Sequence, residues 1–290
     1  MGEDIATPFE ILEPRTVVSP FLFNSPHSGD CYPAEFLAMA RLGLRDMRCS
    51  ADLFVDQLFL GVVERGIPLM RAHFPRSFLD VNREPYELDP RMFEGRMPAF
   101  ANTRSLRVTS GFGTIARYAG EGQEIYTRRI PVDEALRRID HYYLPYHAAL
   151  RHRLNAIQRQ FSQAYLIDCH SMPSGGGRTA RNPDVVLGDR FGTSCTPALM
   201  DFVETFLVGA GLVVARNQPY AGGFITEHYG NPVAGLNALQ IEINRSLYMD
   251  ESLQSLHSGA GLITGVLMDL ADSLISLTAF STPSLRFAAE

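Results

Sequence analysis

The chain has 290 residues, 46% of them hydrophobic, which suffices for one large domain with a substantial core or for two small ones. Its formal net charge of -6 argues against non-specific nucleic-acid binding; all 26 basic residues are arginine, a bias expected from coding composition. Four cysteines, at 31, 49, 169 and 195, form neither a C-x-x-C pair nor a dense disulfide framework, and no charged-then-apolar leader opens the sequence, so the expected compartment is the cytoplasm.

In chain order, β-like apolar runs fall at about 17–24, 67–73, 77–82, 164–169, 184–188, 212–216 and 238–243, separated by helical patterns. That alternation predicts an α/β sheet. Ser50 as N-cap and Gly66 as C′ residue bracket a predicted helix over "ADLFVDQLFLGVVER". A longer helical pattern covers about 131–161 and must bend or break at Pro145; another starts near Pro197 and stops around Gly209 and Gly211. The late stretch "GAGLITGVLMDLADSLISLTAF" carries Asp269 and Asp272, which suits a core-facing helix better than a membrane span. The loops "SMPSGGGRTARNPD" and "NQPYAGGFITEHYGNP" exceed ordinary connections but lie between core-like strands, so residues 1–290 read as one domain with functional loops.

Two strands end on a histidine. "FNSPHSGDCYP" closes the first apolar run on His27, and "AYLIDCHSMPS" closes another on His170, with Asp168 placed to accept a ring N–H. Strand ends at a sheet edge are where open α/β folds place their chemistry. Two histidines far apart in sequence are equally compatible with ordinary turn positions, since neither belongs to a tight local motif. Glu242 in "ALQIEIN" puts a carboxylate on an apolar strand, which is costly unless it is paired or functional. In "RSFLDVNREP", Arg83 by itself reads first as a structural ion-pair partner of Asp80 or Glu84.

Taken together, P-H-S-G, D-x-N-R, D-x-H-S, "PYAGGFITEHYG" and "LQIEINRSLYMD", in that order over residues 17–255, closely resemble the N-formylglutamate amidohydrolase (deformylase) family. The resemblance implies an α/β fold: a single three-layer domain with a mixed, mainly parallel sheet flanked by helices, like that of zinc carboxypeptidases and aspartoacylase-type deacylases. It implies metal-dependent hydrolysis of N-formyl-L-glutamate, a step of histidine degradation. The implied ligands of a divalent metal, Zn2+, are His27, His170 and Asp52; Asp30 is the competing carboxylate, three residues after His27. The resemblance further makes Asn82 and Arg83 a substrate-carboxylate clamp, Glu242 the general base, and Arg216 and Tyr220 parts of a substrate-binding loop with Gly222 and Gly223. Roles for Arg245 and His228 stay open. The expected partner is a small-molecule N-acyl amino acid, with no nucleic acid and no membrane.

Three alternatives frame the expectation. The same fold could deacylate another N-acyl amino acid, or Cys169 or Cys195 could serve a cysteine amidohydrolase, although adjacent strand residues such as Cys169 and His170 point to opposite faces. A non-catalytic amino-acid- or metal-binding protein is the third.

Overall fold

The computed structural model describes residues 7–120, 122–175 and 183–281. Seven strands form the main sheet: β1 (Phe9–Leu12), β2 (Phe21–Ser25), β3 (Leu69–Ala72), β4 (Ala164–Met172), β5 (Val185–Gly188), β6 (Val214–Arg216) and β7 (Leu236–Asn244). Their order across the sheet is β1-β3-β2-β4-β7-β5-β6. The β3/β2, β2/β4, β4/β7 and β5/β6 pairs are parallel, whereas β1/β3 and β7/β5 are antiparallel. The sheet is therefore mixed and mainly parallel, as the family resemblance implies.

Period-two alternation sorts the central strands onto two cores. Leu22, Leu166 and Ala238 face one apolar cluster, which also takes in Ile139, Tyr146, Leu150 and Leu154. Phe23, Ile167, Cys169, Leu239 and Ile241 face the other, which includes Val203, Leu207, Leu267 and Leu274. Asp168, His170, Gln240 and Glu242 continue the first face toward the C-terminal ends of β4 and β7, where the apolar rows give way to polar side chains.

Three expectations need correction. The run 77–82 is a series of turns, not a strand: Leu79 and Val81 are buried in the first cluster, so apolarity here records burial without extension. The predicted helix after Ser50 forms only as α1 (Val55–Leu58) and a 3-10 turn at Leu60–Val62, because Phe54 adopts a left-handed backbone at φ 67°. Ser50 does not cap it; its hydroxyl donates to Met47 O at 3.1 Å. Tertiary bonds hold this segment instead, since Asp52 N–H donates to His27 O at 3.0 Å and Arg245 donates to the carbonyls of Cys49 and Ala51.

The long helical pattern resolves into α2 (Val132–Arg138), a π-helical turn at Ile139–Tyr143 and α3 (Leu144–Phe161). Pro145 falls in the first turn of α3, where its missing N–H is least costly, and the π turn absorbs the break. Helix α4 (Pro197–Gly209) starts and stops where its proline and glycines predict, and α5 (Phe224–Tyr229) follows the "PYAGG" loop. Helix α6 (Gly259–Ser281) is apolar and long enough to cross a membrane by composition, yet Ile263, Leu267, Leu270, Ala271 and Leu274 are buried in the second core. Most of the loop "GGGRTARN" lies outside the described residues.

Candidate metal centre and substrate cleft

A cleft of about 420 Å³ opens at the C-terminal edge of β2, β4 and β7. At its floor His27, Asp52 and His170 converge, all buried, with one donor atom from each within 4.8 Å of the others. Each arrives from a different element: His27 two residues beyond β2, His170 on β4, and Asp52 from the irregular segment before α1. Gly29 lets the His27 turn pack on the chain beside β3, where a Cβ would lie 2.3 Å from Phe74 O. Asp30, by contrast, is exposed and outside the cluster.

The far nitrogen of each ring is held by a carboxylate. His27 Nε2 lies 2.8 Å from Asp80 Oδ1, and His170 Nε2 lies 2.9 Å from Asp168 Oδ2. Such partners fix the ring orientation and turn each Nδ1 toward Asp52. Asp52 Oδ2 lies 3.0 Å from His170 Nδ1 and 3.3 Å from His27 Nδ1, and the latter is a buried nitrogen without a hydrogen bond. Two imidazole nitrogens converging on one buried carboxylate are a donor set suited to a divalent cation.

Electrostatics support the same fit. Burial alone would raise the Asp52 pKa, but the two histidines hold it well below the ordinary carboxylate range. Burial would lower the His170 pKa, yet Asp168, Asp52 and Glu242 lift it well above its ordinary value. The cluster therefore favours a positive charge between the rings, which a proton or a metal ion can supply.

Glu242 is the cross-strand neighbour of His170 in the β4/β7 register. It accepts a hydrogen bond from Gln240 Nε2 at 2.9 Å, and burial pushes its carboxyl up to about 7. Gln240 Oε1 in turn accepts from Gly223 N at 3.1 Å, tying the loop after β6 to the strand that carries Glu242. Gly223 has to be glycine because a Cβ there would fall 2.4 Å from the Asn82 amide.

Asn82 braces the site. Its Oδ1 accepts from Ile225 N at 2.8 Å, its N–H donates to Asp80 Oδ1 at 2.8 Å, and its Nδ2 lies 3.3 Å from His170 Nε2. Arg83 lines the cleft but is partly engaged: Nε donates to Phe112 O at 3.0 Å and Nη1 to Asn82 O at 2.9 Å, while Nη2 stays 3.7 Å from Asp80. Tyr220 also lines the cleft.

Arg216 does not reach the site. It stands on edge strand β6 and pairs with Asp201 and Glu204 of α4 on the surface, so its place near "PYAGG" in sequence does not carry into space. His228 lies on α5, stacked on Phe224 with ring centroids 4.8 Å apart, beside Arg151 and outside the cleft lining. Arg245 is a buried brace: Nε donates to Ser171 Oγ at 3.2 Å and Nη2 lies 3.5 Å from Asp52 Oδ1. Cys169 packs in the apolar core on the sheet face opposite His170, and burial drives its thiol pKa well up, so it is no poised nucleophile. Cys195 is buried as well, its thiol raised to about 12.

Sequence reasoning missed Arg76 and Gln240 and gave Asp80 only an ion-pair role. Arg76 Nη2 donates to Asp80 Oδ2 at 2.8 Å from the cleft wall. The signal for Gln240 was available, since residues two apart on a strand share a face.

Residues 19–249 match the family described as N-formylglutamate amidohydrolase. The N-formylglutamate deformylase of Pseudomonas aeruginosa is 27% identical over 278 residues, covering 92% of this chain and 97% of that protein. That of Pseudomonas putida is 28% identical over 241 residues, covering 80% and 83%. The solved N-formylglutamate amidohydrolase of Ralstonia eutropha JMP134 superposes with a TM-score of 0.89 at 35% identity, covering 94% of this chain and 99% of that one. With a family match across most of its length, and the fold of a solved member, the chain belongs to the N-formylglutamate amidohydrolase family.

Proposed function

We propose that the protein hydrolyses N-formyl-L-glutamate to formate and L-glutamate at a divalent metal, zinc, held by His27, Asp52 and His170. The observation that carries this reading is the convergence of two Nδ1 atoms and a carboxylate, with His27 Nδ1 buried and left without a hydrogen bond, beside buried, pKa-raised Glu242. The family membership and the deformylase names of the relatives agree with it. A cation bound there supplies Lewis acidity, polarising a carbonyl and making water more acidic.

The chain's own groups supply the rest. Glu242 accepts a proton from the attacking water and returns it to the leaving amine, a pair of transfers suited to a carboxyl raised toward neutrality. Asp80 and Asp168 hold the two rings so that their ligating nitrogens do not turn away. Arg83, through the donors its carbonyl contacts leave open, holds a substrate carboxylate; Asn82 fixes the segment beside it, and Tyr220 lines the same cleft.

The test compares wild type with Glu242→Gln for formate release from N-formyl-L-glutamate and for metal content. Wild type should release formate. The variant should keep its metal while kcat falls on the order of 10² to 10⁴-fold with little change in KM. Absence of formate release by metal-loaded wild type refutes the substrate, and a variant that keeps most of its kcat removes Glu242 from the base role.

A further inference from the structure

N-formyl-L-glutamate carries two carboxylates, and a cleft that selects it over a neutral N-formyl amino acid needs a second cation for the side chain. Four arginines line the wall around the metal centre and the adjoining loops: Arg76, Arg83, Arg107 and Arg245. Three are already committed. Arg76 donates to Asp80; Arg245 donates to Ser171 Oγ and to the carbonyls of Cys49 and Ala51; Arg83 donates to the carbonyls of Phe112 and Asn82.

Arg107 differs. It belongs to the short helix Leu106–Thr109, its side chain is 35% exposed, and among the described residues its guanidinium makes no hydrogen bond. Its one ion-pair partner is Glu87, at 4.0 Å from Nη1, and Glu87 Oε2 is itself buried without a hydrogen bond. The loop ties it to Arg83: Phe112 N donates to Arg107 O at 2.8 Å, and Phe112 O accepts from Arg83. The positive charge of Arg107 is also near enough to contribute to the lowered pKa of Arg83, after burial and the charge of Arg76.

We propose that Arg107 binds the side-chain carboxylate of the substrate while Arg83 binds the α-carboxylate, so that Arg107 makes the cleft selective for acidic N-formyl amino acids. This rests on the deformylase reading above. Glu87 lies 4.0 Å from Nη1 on the buried side of the guanidinium, and the other donors of Arg107 remain for the ligand. The planar fork suits a carboxylate better than the neutral amide of a glutamine side chain, which presents one acceptor and no charge.

Steady-state kinetics on N-formyl-L-glutamate and N-formyl-L-glutamine, for wild type, Arg107→Met and Arg107→Lys, test it. Arg107→Met should lower kcat/KM for the glutamate substrate about 30-fold or more, chiefly through KM, and leave the glutamine substrate within about 3-fold. Arg107→Lys should recover part of the glutamate loss. The glutamine substrate reports folding of the variant in the same cell. Equal losses on both substrates, or no loss on either, overturn the role of Arg107. A wild type inactive on both substrates refutes the deformylase reading itself.

Discussion

Asp52, the proposed carboxylate ligand, shows how one residue's role depends on backbone the sequence does not reveal. Asp52 read as a first-turn helix aspartate would complement a macrodipole for about 0.3–1 kcal/mol. In the structure no helix starts there, and the carboxylate turns inward between two histidines. Asp52→Ala should therefore strip the metal from the purified protein, whereas Asp30→Ala should retain it, because Asp30 is exposed. Elemental analysis of both variants decides, and the reverse ranking would move the ligand to the P-H-S-G-D segment. His27, His170 and Glu242 stood out as candidates because each puts an ionisable group within or just beyond an apolar run, and the structure gathers them at one sheet edge. Arg216 was misleading for the converse reason: on an exposed edge strand an arginine pairs with surface carboxylates as readily as with a ligand.

At the scale of elements, strand ends were legible and irregular segments were not. The strands β4 and β7 carry their patterns openly, with apolar residues alternating between two cores until His170 and Glu242 end the rows side by side. Residues 77–82 and the predicted helix after Ser50 look regular by content, yet tertiary hydrogen bonds and the left-handed Phe54 decide their shape. Buried His147 links helix α3 to α5: its Nδ1 lies 2.9 Å from Tyr229 Oη and its Nε2 2.9 Å from Val81 O. Burial lowers its pKa from 6.5 to about 4, so between those values the unfolded chain binds a proton that the folded chain refuses. Stability therefore falls as pH drops below about 6.5, and the loss is complete below about 4. Each pKa unit corresponds to about 1.4 kcal/mol. Urea unfolding of wild type and His147→Gln from pH 7 to 4.5 should show the steeper decline in wild type; identical slopes would mean that His147 is already charged in the fold.

For the whole molecule, the order of the five motifs carried the family assignment, and the sheet explains why motifs so far apart in sequence cooperate. Parallel strands β2, β4 and β7 deliver their C-terminal ends to one edge, so residues 27, 170 and 242 meet there while Asp52 and Asp80 come in from loops. Which arginine faces a ligand depends on three-dimensional bookkeeping of donors, and spacing along the chain carries none of it. The claim on which the rest depends is that hydrolysis requires the cation at His27, Asp52 and His170. Formate release from N-formyl-L-glutamate should be measured on one preparation as purified, after removal of metal by a chelator, and after zinc is returned. The account predicts loss of the rate on chelation and its recovery with zinc; protein verified to be metal-free that retains the full rate would contradict it.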